Sequence, residues 1–418
     1  MKSIARYNWK TFAGDCGGGL IAALIALPYG LAMATLMGLP PAMGLFTSLL
    51  TTPITAMLGR NPVLIGGTST VTVPFIAKAV ADYGVAGAAK IALIAAFVML
   101  TFSVLQLGRY ILRVPHVVVS GFSCGIGVMM IVSQLKTILG VSVPAGAAYQ
   151  SSFQQLMNVL AALGGTHWEP LILSLIVMAV AFAAAAKAKY LPAPLIGVVV
   201  ATVAGITLNL HQKAVGRLPL DIPPLASFTW SAGDLHQLVL PGFGLAFVAS
   251  VNLLITSRVV EHFSGRHRGM KPSDADKELG AYGIANIAAA MFGAPISVGI
   301  PARSLANVRC GGTTRVSNLM HALVLFCCLW LGADMVAHIP LAALAGVTAY
   351  VGVCLLEWST WHRLPKMRYS DAGAFLVTCL ATLFANAVVA VAAGCLIAAW
   401  PWLHQKLAQP ARPALERI

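Results

Sequence analysis

Residues 293–315, GAPISVGIPARSLANVRCGGTTR, bring prolines, glycines and one arginine, Arg303, into a stretch flanked by apolar sequence. A membrane-spanning helix satisfies its own backbone groups, so a Gly- and Pro-rich break is tolerated at membrane depth only where protein or a water-filled cavity surrounds it. Such a break points to a binding site. Pro301 suits the first turn of a helix, and a short helix starting near Ala302 would set free N–H groups and the positive end of its dipole beside Arg303. That combination attracts an anion. The plainer alternative is a Pro-kinked helix whose Arg303 snorkels to an interface. A second stretch argues against it. Residues 59–69, GRNPVLIGGTS, repeat the layout of glycine, proline, further glycine and small polar helix start, and 59–68 is spaced like 293–302, which puts Ser69 opposite Arg303. Paired interrupted segments in corresponding halves mark a transporter site.

The acidic residues sharpen this reading. All thirteen Asp and Glu fall at predicted helix ends or in loops, so none is expected at mid-membrane beside the arginine. Proton and sodium coupling commonly use a buried carboxylate. Its absence suits an anion bound without an obligatory cation. His321 is the one histidine well inside a predicted span, and a lone imidazole there reads as a satisfied packing residue before a proton carrier. No nucleophile and base pair, metal spacing or phosphate loop supports an enzyme, a metal or a cofactor. The eight cysteines lie in or beside apolar runs and read as reduced packing thiols.

The elements that must position these residues follow from composition. With 418 residues, 58% hydrophobic, 10% charged and a mean hydropathy of +0.83, the chain is an all-α polytopic membrane protein. Apolar runs predict fourteen transmembrane segments near 14–36, 42–58, 68–81, 88–107, 115–139, 170–186, 193–211, 238–262, 278–293, 302–313, 316–337, 341–358, 371–386 and 387–403, the last pair alternatively one re-entrant hairpin around Asn386. The first run has no clear cleavage site and reads as a retained helix. With a cytoplasmic N-terminus, twenty Lys and Arg fall in inner loops and five outside. Positive-inside bias therefore accounts for the net charge of +14 without nucleic acid. Seven segments per half is an odd number, so the halves enter from opposite sides and form a 7+7 inverted repeat. The loops 141–169 and 212–237 face outward, the second Pro-rich and extended; 262–278 is solvated cytoplasmic surface.

The stretches DCGGGLIAALIALPYGLAMATLMGLPPAMGLFTS, GGTSTVTVPF, VPHVVVSGFSCGIGVMMIVSQLKTILG, VGRLPLDIPP, KELGAYGIANIAAAMFGAPISVGIPARSLANVRCGGTTR and IPLAALAGV resemble, in order, the SulP sulfate permease and anion exchanger family, with a prestin-like transmembrane domain. The resemblance implies a single transmembrane domain, 1–403, with a core domain (1–107 and 238–337) and a gate domain (115–211 and 341–403). It implies an anion held between the half-helices of segments 3 and 10. Carried over by position, Tyr29 and Met33 line the pocket, Thr68, Ser69 and Thr70 start segment 3, and Ala302, Arg303 and Ser304 start segment 10. The competing readings are a core aromatic for Tyr29 and simple capping for Thr68 and Ser69.

Two departures from the family stand out. After the short tail, 404–418, predicted cytoplasmic, the usual C-terminal STAS domain is not expected, and its regulatory role is expected to be absent or supplied by another chain. In segment 8, AFVASVNLLITSRVVE carries Asn252 where the family usually has a membrane glutamate, with Glu261 the competing candidate, expected in a loop-side ion pair with His262 and Arg266. Asn252 is thus the coupling position. The resulting expectation is a secondary transporter of inorganic anions, of the sulfate or bicarbonate/chloride class, in a bacterial-type inner membrane with both termini cytoplasmic. It would act by alternating access as exchange or uniport without proton coupling. A passive anion channel, a cation-coupled anion symporter, a nucleobase permease and a non-transporting motor or sensor are the alternatives. The expected partners are a small anion and the lipid bilayer; a homodimer and a separate regulatory partner stay open.

Overall fold

The computed structural model describes residues 7–111, 115–142, 152–187, 193–210, 213–216, 223–264, 274–331, 337–384 and 387–408. Helices begin where an apolar run meets a capping residue or a proline. In α1 (Trp9–Leu36), Asn8 accepts from the Thr11 N–H at 2.9 Å. Helix α2 (Pro41–Leu58) starts on a proline. A two-residue strand β1 (Gly66–Gly67) and a 3₁₀ turn at Thr70–Thr72 lead into α3 (Val73–Val104). Next come α4 (Gly108–Ile111), α5 (His116–Leu139), α6 (Ser152–Ala161), α7 (Trp168–Lys187) and α8 (Ala193–Thr207).

Helix α9 (Ala232–Phe263) opens with a capping box between Ser231 and Asp234, and α10 (Ala275–Met291) with Asp274. Strand β2 (Val298–Gly299) and α11 (Pro301–Arg309) precede α12 (Arg315–Leu331), α13 (Leu341–Leu355), α14 (Trp358–Arg363), α15 (Tyr369–Phe384) and α16 (Ala387–Ala408). Among the described residues, α1, α2, α3, α5, α7, α9 and the run Leu341–Lys366, of which α13 is the first part, are long and apolar enough to cross a membrane. The predicted segments 68–81 and 88–107 fall on the two halves of α3, which is interrupted at Gly84, where φ 70° and ψ −179° are not helical and suit only glycine.

Helices α1, α2, α3, α9, α10, α11 and α12 pack on one another, while α5, α7, α8, α13, α15 and α16 form a second cluster. Helix α1 reaches across to α8 and α13, and α9 to α16. Small residues set the closest crossings. A Cβ on Gly44 of α2 would lie 2.0 Å from the Gly30 carbonyl oxygen of α1.

The two Gly- and Pro-rich stretches meet inside the first cluster. β1 and β2 pair antiparallel, Gly66 with Gly299 and Gly67 with Val298, and the Ile300 N–H extends the ladder to the Ile65 carbonyl at 3.0 Å. Two strands of two residues cannot satisfy so much buried backbone alone, and side chains complete the set. The Asn286 amide donates to Ser297 O at 2.9 Å and accepts from Ser297 N–H at 2.6 Å. Asn318 donates to Leu64 O at 2.9 Å, Asn307 to Val63 O at 3.3 Å, and Thr47 to Pro295 O at 3.1 Å.

Carboxylates and one guanidinium hold the turns at one end of the cluster. Asp15 and Glu278, expected at helix ends or in loops, do sit near helix starts, yet they are 0% and 1% exposed. Glu278 accepts the backbone N–H groups of Arg60 and Asn61. Asp15 accepts those of Thr313 at 2.7 Å and Thr314 at 3.0 Å, with the Thr314 hydroxyl. Arg315 donates to Met57 O and Gly59 O at the end of α2, which suits the negative end of the helix dipole. At the other end Lys90 joins α3 to Asp234 at 2.9 Å and to Thr229 O at 2.7 Å, and hydrogen bonding to Lys90 lowers the Asp234 carboxyl pKa.

In the loop expected to be extended, residues 223–230 have no regular secondary structure, and Ala226 donates to Met291 O at 2.7 Å. Arg266, Asn386 and the tail from 409, which carried sequence expectations, lie outside the described residues, as does most of the loop 262–278.

Asn286→Ala removes both partners of a buried peptide group, so it should destabilise the fold by about 2–4 kcal/mol, one desolvation penalty each for a donor and an acceptor. The measurement is the thermal unfolding midpoint in detergent, against Thr207→Ala at an exposed helix end, where the change should stay within about 0.5 kcal/mol. Equal midpoints for the two variants would show that the Asn286 clamp carries no stability.

Candidate functional site

Both helices that leave the ladder begin without a side-chain cap. Ser69 precedes the 3₁₀ turn in extended backbone and Ile300 precedes α11, and neither side chain bonds to the helix it opens. The N–H groups of both first turns therefore keep the capacity to bind an anion that capping would have used. At the start of α11, Pro301 and Ala302 are exposed, whereas Ser69 and Thr70 are each 5% exposed.

Arg303 lies in the first turn of α11 and is fully buried. Its Nη1 donates to the Ser48 hydroxyl of α2 at 3.0 Å. The guanidinium carbon sits 5.2 Å from the ring centroid of Tyr29 on α1, within cation–π range. A Cβ at Gly67 would stand 2.4 Å from both Nη1 and the Ser48 oxygen, so only glycine leaves the guanidinium its path. The remaining donors, Nε and Nη2, have no protein partner, and neither does the buried Thr68 hydroxyl. Buried polar groups ordinarily find partners. An arginine held by one nitrogen, with its other edge free, has two donors that a ligand could meet.

The structure brings Tyr29, Thr70, Gly67 and Arg303 together, with Thr70 beside the Tyr29 hydroxyl. It uses two of the sequence-chosen residues differently. The Ser304 hydroxyl accepts from Ile65 N–H at 2.9 Å and donates to Ile300 O at 2.8 Å, which ties it to the ladder. Met33 is fully buried in the apolar core of the first cluster. Asn252, on α9, lines a cavity of about 20 Å³ together with Val71, Val118, Phe122, Ser123 and Val391, and its Oδ1 has no partner. That volume holds about one water molecule. The cavity lies where the 3₁₀ turn and α9 face α5 and α16, between the two helix clusters.

His321 corrects one expectation. It is fully buried on α12, but both ring nitrogens lack a protein partner, so it is not the satisfied packing residue that its sequence context suggests. A second ladder residue is placed by α10: Tyr282 packs beside Gly66 with Ser297, and the hydroxyls of both are unpartnered. Ser48, Gly67, Asn286, Asn307 and Asn318 were missed at the sequence level. A signal for Ser48 existed, because Ser48, Thr51, Thr52 and Thr55 of α2 recur at helical spacing and are all buried.

Glu261 has a polar interaction, whereas Arg266, one of its two expected partners, lies outside the described residues. Among the described residues no group of three His, Cys, Asp or Glu side chains could hold a metal ion.

The bicarbonate transporter BicA of Synechocystis is 28% identical over 407 residues, 95% of this chain and 71% of that protein. A probable sulfate transporter of Mycobacterium tuberculosis is 31% identical over 389 residues, 90% of this chain and 68% of that protein. The structure of the transmembrane domain of a cyanobacterial BicA superposes with a TM-score of 0.81 at 25% identity, covering 94% of this chain and 98% of that one. Murine Solute Carrier 26 family member A9, in an inward-facing state, shares the fold with a TM-score of 0.84 at 21% identity over 97% of this chain and 70% of its own. With the sulfate permease family matched over residues 12–378, the chain belongs to that family.

Proposed function

We propose that this membrane protein is a secondary transporter of inorganic anions, of the sulfate or bicarbonate/chloride class. In this reading the anion is held at Arg303 between the N-termini of the 3₁₀ turn and α11. The observation that carries it is a fully buried guanidinium with two unpartnered donors beside two uncapped helix starts. The names of the relatives, a bicarbonate transporter and a probable sulfate transporter, support the same substrate class.

The division of the packing into two clusters supports a moving-body mechanism. The cluster of α1–α3 and α9–α12 acts as the core domain, and the cluster around α5, α7, α8, α13, α15 and α16 as the gate. Fourteen segments in a 7+7 inverted repeat give the core access to either side in turn, with both termini cytoplasmic in a bacterial-type inner membrane. The narrow cavity beside Asn252 is the seam along which the core slides. Because Asn252 carries no charge at any pH, it hydrogen-bonds but relays no proton. Transport is then exchange or uniport that draws on neither a proton nor a sodium gradient. The chemistry is binding and release, with no enzymatic step.

Arg303→Ala keeps helix propensity and deletes the charge. In proteoliposomes it should raise KM for the transported anion about tenfold or more, the ~1.4 kcal/mol of one charge-assisted contact. Unchanged kinetics would remove Arg303 from the site.

Single cysteines at Ser69 and Ala302 should gain or lose reactivity toward a membrane-impermeant thiol reagent together when substrate is added. Opposite responses would mean that the two helix starts do not move as one body.

Uptake of labelled sulfate or bicarbonate should proceed equally with proton and sodium gradients imposed or collapsed. Accumulation that needs either gradient would favour a cation-coupled symporter, and flux without counterflow saturation would favour a channel.

A further inference from the structure

We propose that α6 is an interfacial helix, whose apolar stripe lies in the headgroup–acyl boundary of the leaflet at its end of the bundle and ties the second helix cluster to the lipid. The pattern of α6 is inverted with respect to a helix in water. Phe153, Met157 and Leu160 recur at i, i+4 and i+7 and fall within roughly 60° of arc at 3.6 residues per turn, yet they are 56%, 43% and 48% exposed. The polar Gln155 and Asn158 are less exposed and each takes part in a polar interaction, and Val159 beside them is buried. A surface helix in water turns its apolar stripe to the core. Here the stripe points away from the protein, and an exposed apolar face of this kind marks an interaction surface.

The partner that fits is the bilayer. The stripe resumes on the next helix, where Trp168, Ile172 and Leu175 repeat the i, i+4, i+7 spacing and are likewise exposed, and that helix, α7, is long and apolar enough to cross a membrane. The face of α6 is therefore continuous in pattern with a lipid-facing one. Its level is set by the ends of two spans. The His167 N–H donates to Leu139 O of α5 at 2.9 Å, a Cβ on Gly140 would lie 2.8 Å from the Pro170 ring of α7, and α6 packs against α5 and α15. Tryptophan at the start of a span suits that boundary. At 10 residues, α6 is far short of the ~20 needed to cross the hydrocarbon core, so it lies along the boundary. From Thr137 to Trp168 the sequence holds no Lys, Arg, Asp or Glu. Interfacial binding scales with buried apolar area, and basic residues add attraction to anionic lipid. Lacking them, α6 matches a zwitterionic surface.

The test uses the full chain in phosphatidylcholine proteoliposomes, with an environment-sensitive fluorescent amino acid encoded in place of Met157, Leu160 or Gln155, one position at a time. At Met157 and Leu160 the emission should shift to the blue. Lipids brominated near the headgroup end of the acyl chain should quench it more than lipids brominated near the chain terminus, in keeping with the ~5–10 Å burial of an interfacial helix. Iodide in the buffer should quench it little, and adding phosphatidylglycerol should change nothing. The probe at Gln155, on the face turned to the protein, should be shielded from both kinds of quencher. Strong iodide quenching at Met157 and Leu160 would overturn the proposal by placing the stripe in water. Shielding of these two positions from both quenchers would overturn it as well, because a second copy of the chain would then cover the stripe. Stronger quenching from the chain terminus would make α6 re-entrant instead of interfacial, and lipid quenching that appears only with phosphatidylglycerol would overturn the zwitterionic match. A probe at Gln155 quenched by lipid as strongly as one at Met157 would overturn the inverted facing on which the proposal stands.

Discussion

The structure depends on one constraint: a chain with the composition of a membrane protein interrupts two helices in its interior and must still find a partner for each buried backbone group. The solution is mutual. Residues 65–67 pair with 298–300, so each break is the other's strand, and neither half of the chain could adopt its interruption alone. The ladder is too short to be sufficient. Asn286, Asn307, Asn318 and Thr47 supply side-chain donors and acceptors to the peptides just beyond it. Asp15 and Glu278 collect the N–H groups of the turns where the chain enters and leaves.

This frame accounts for the kinds of residue that the interior holds. A buried carboxylate ordinarily costs several kcal/mol, but one that accepts two backbone N–H groups replaces the solvation it has lost. Asp15 lies on α1 and serves the turn after α11; Glu278 lies on α10 and serves the turn after α2. Each therefore bonds one half of the chain to the other. Arg303 is treated in the opposite way. Among the described residues no carboxylate engages it, and the hydroxyl that does, Ser48, is shared with the Gly44 carbonyl of its own helix at 3.5 Å.

The breaks themselves were legible, because runs of Gly and Pro inside apolar sequence interrupt a helix and the two stretches share a spacing. Arg303 and the helix starts came with them, whereas Tyr29 followed only from the family resemblance. The clamps were not legible. Asn286 and Asn318 sit in otherwise ordinary helices, and their value depends on a peptide that only the fold brings within 3 Å. Burial of Asp15 and Glu278 escaped for the same reason: position at a helix start was readable, whereas the partners lie 298 and 218 residues away in the chain. Ser304 shows a use that was not legible, since a small polar residue at a helix start suits a ligand and a ladder equally, and here its hydroxyl bonds to the ladder. Gly67 was visible as a glycine, but not as the space through which Arg303 reaches Ser48.

On the proposed reading, the unpaired arginine also bears on why exchange would be favoured over leak. Moving the core with the site empty would carry a guanidinium with unmet donors past the gate helices, and an uncompensated charge in apolar surroundings is strongly opposed. With an anion bound, the moving body presents a charge-compensated, hydrogen-bonded pair to the same helices. The ligand then lowers the barrier by supplying what the protein has withheld, and the differential between loaded and empty states drives the coupling of one anion's entry to another's exit. In the same reading Asn252, polar but uncharged, adds no fixed negative charge to the seam, and the compensating charge comes from the substrate.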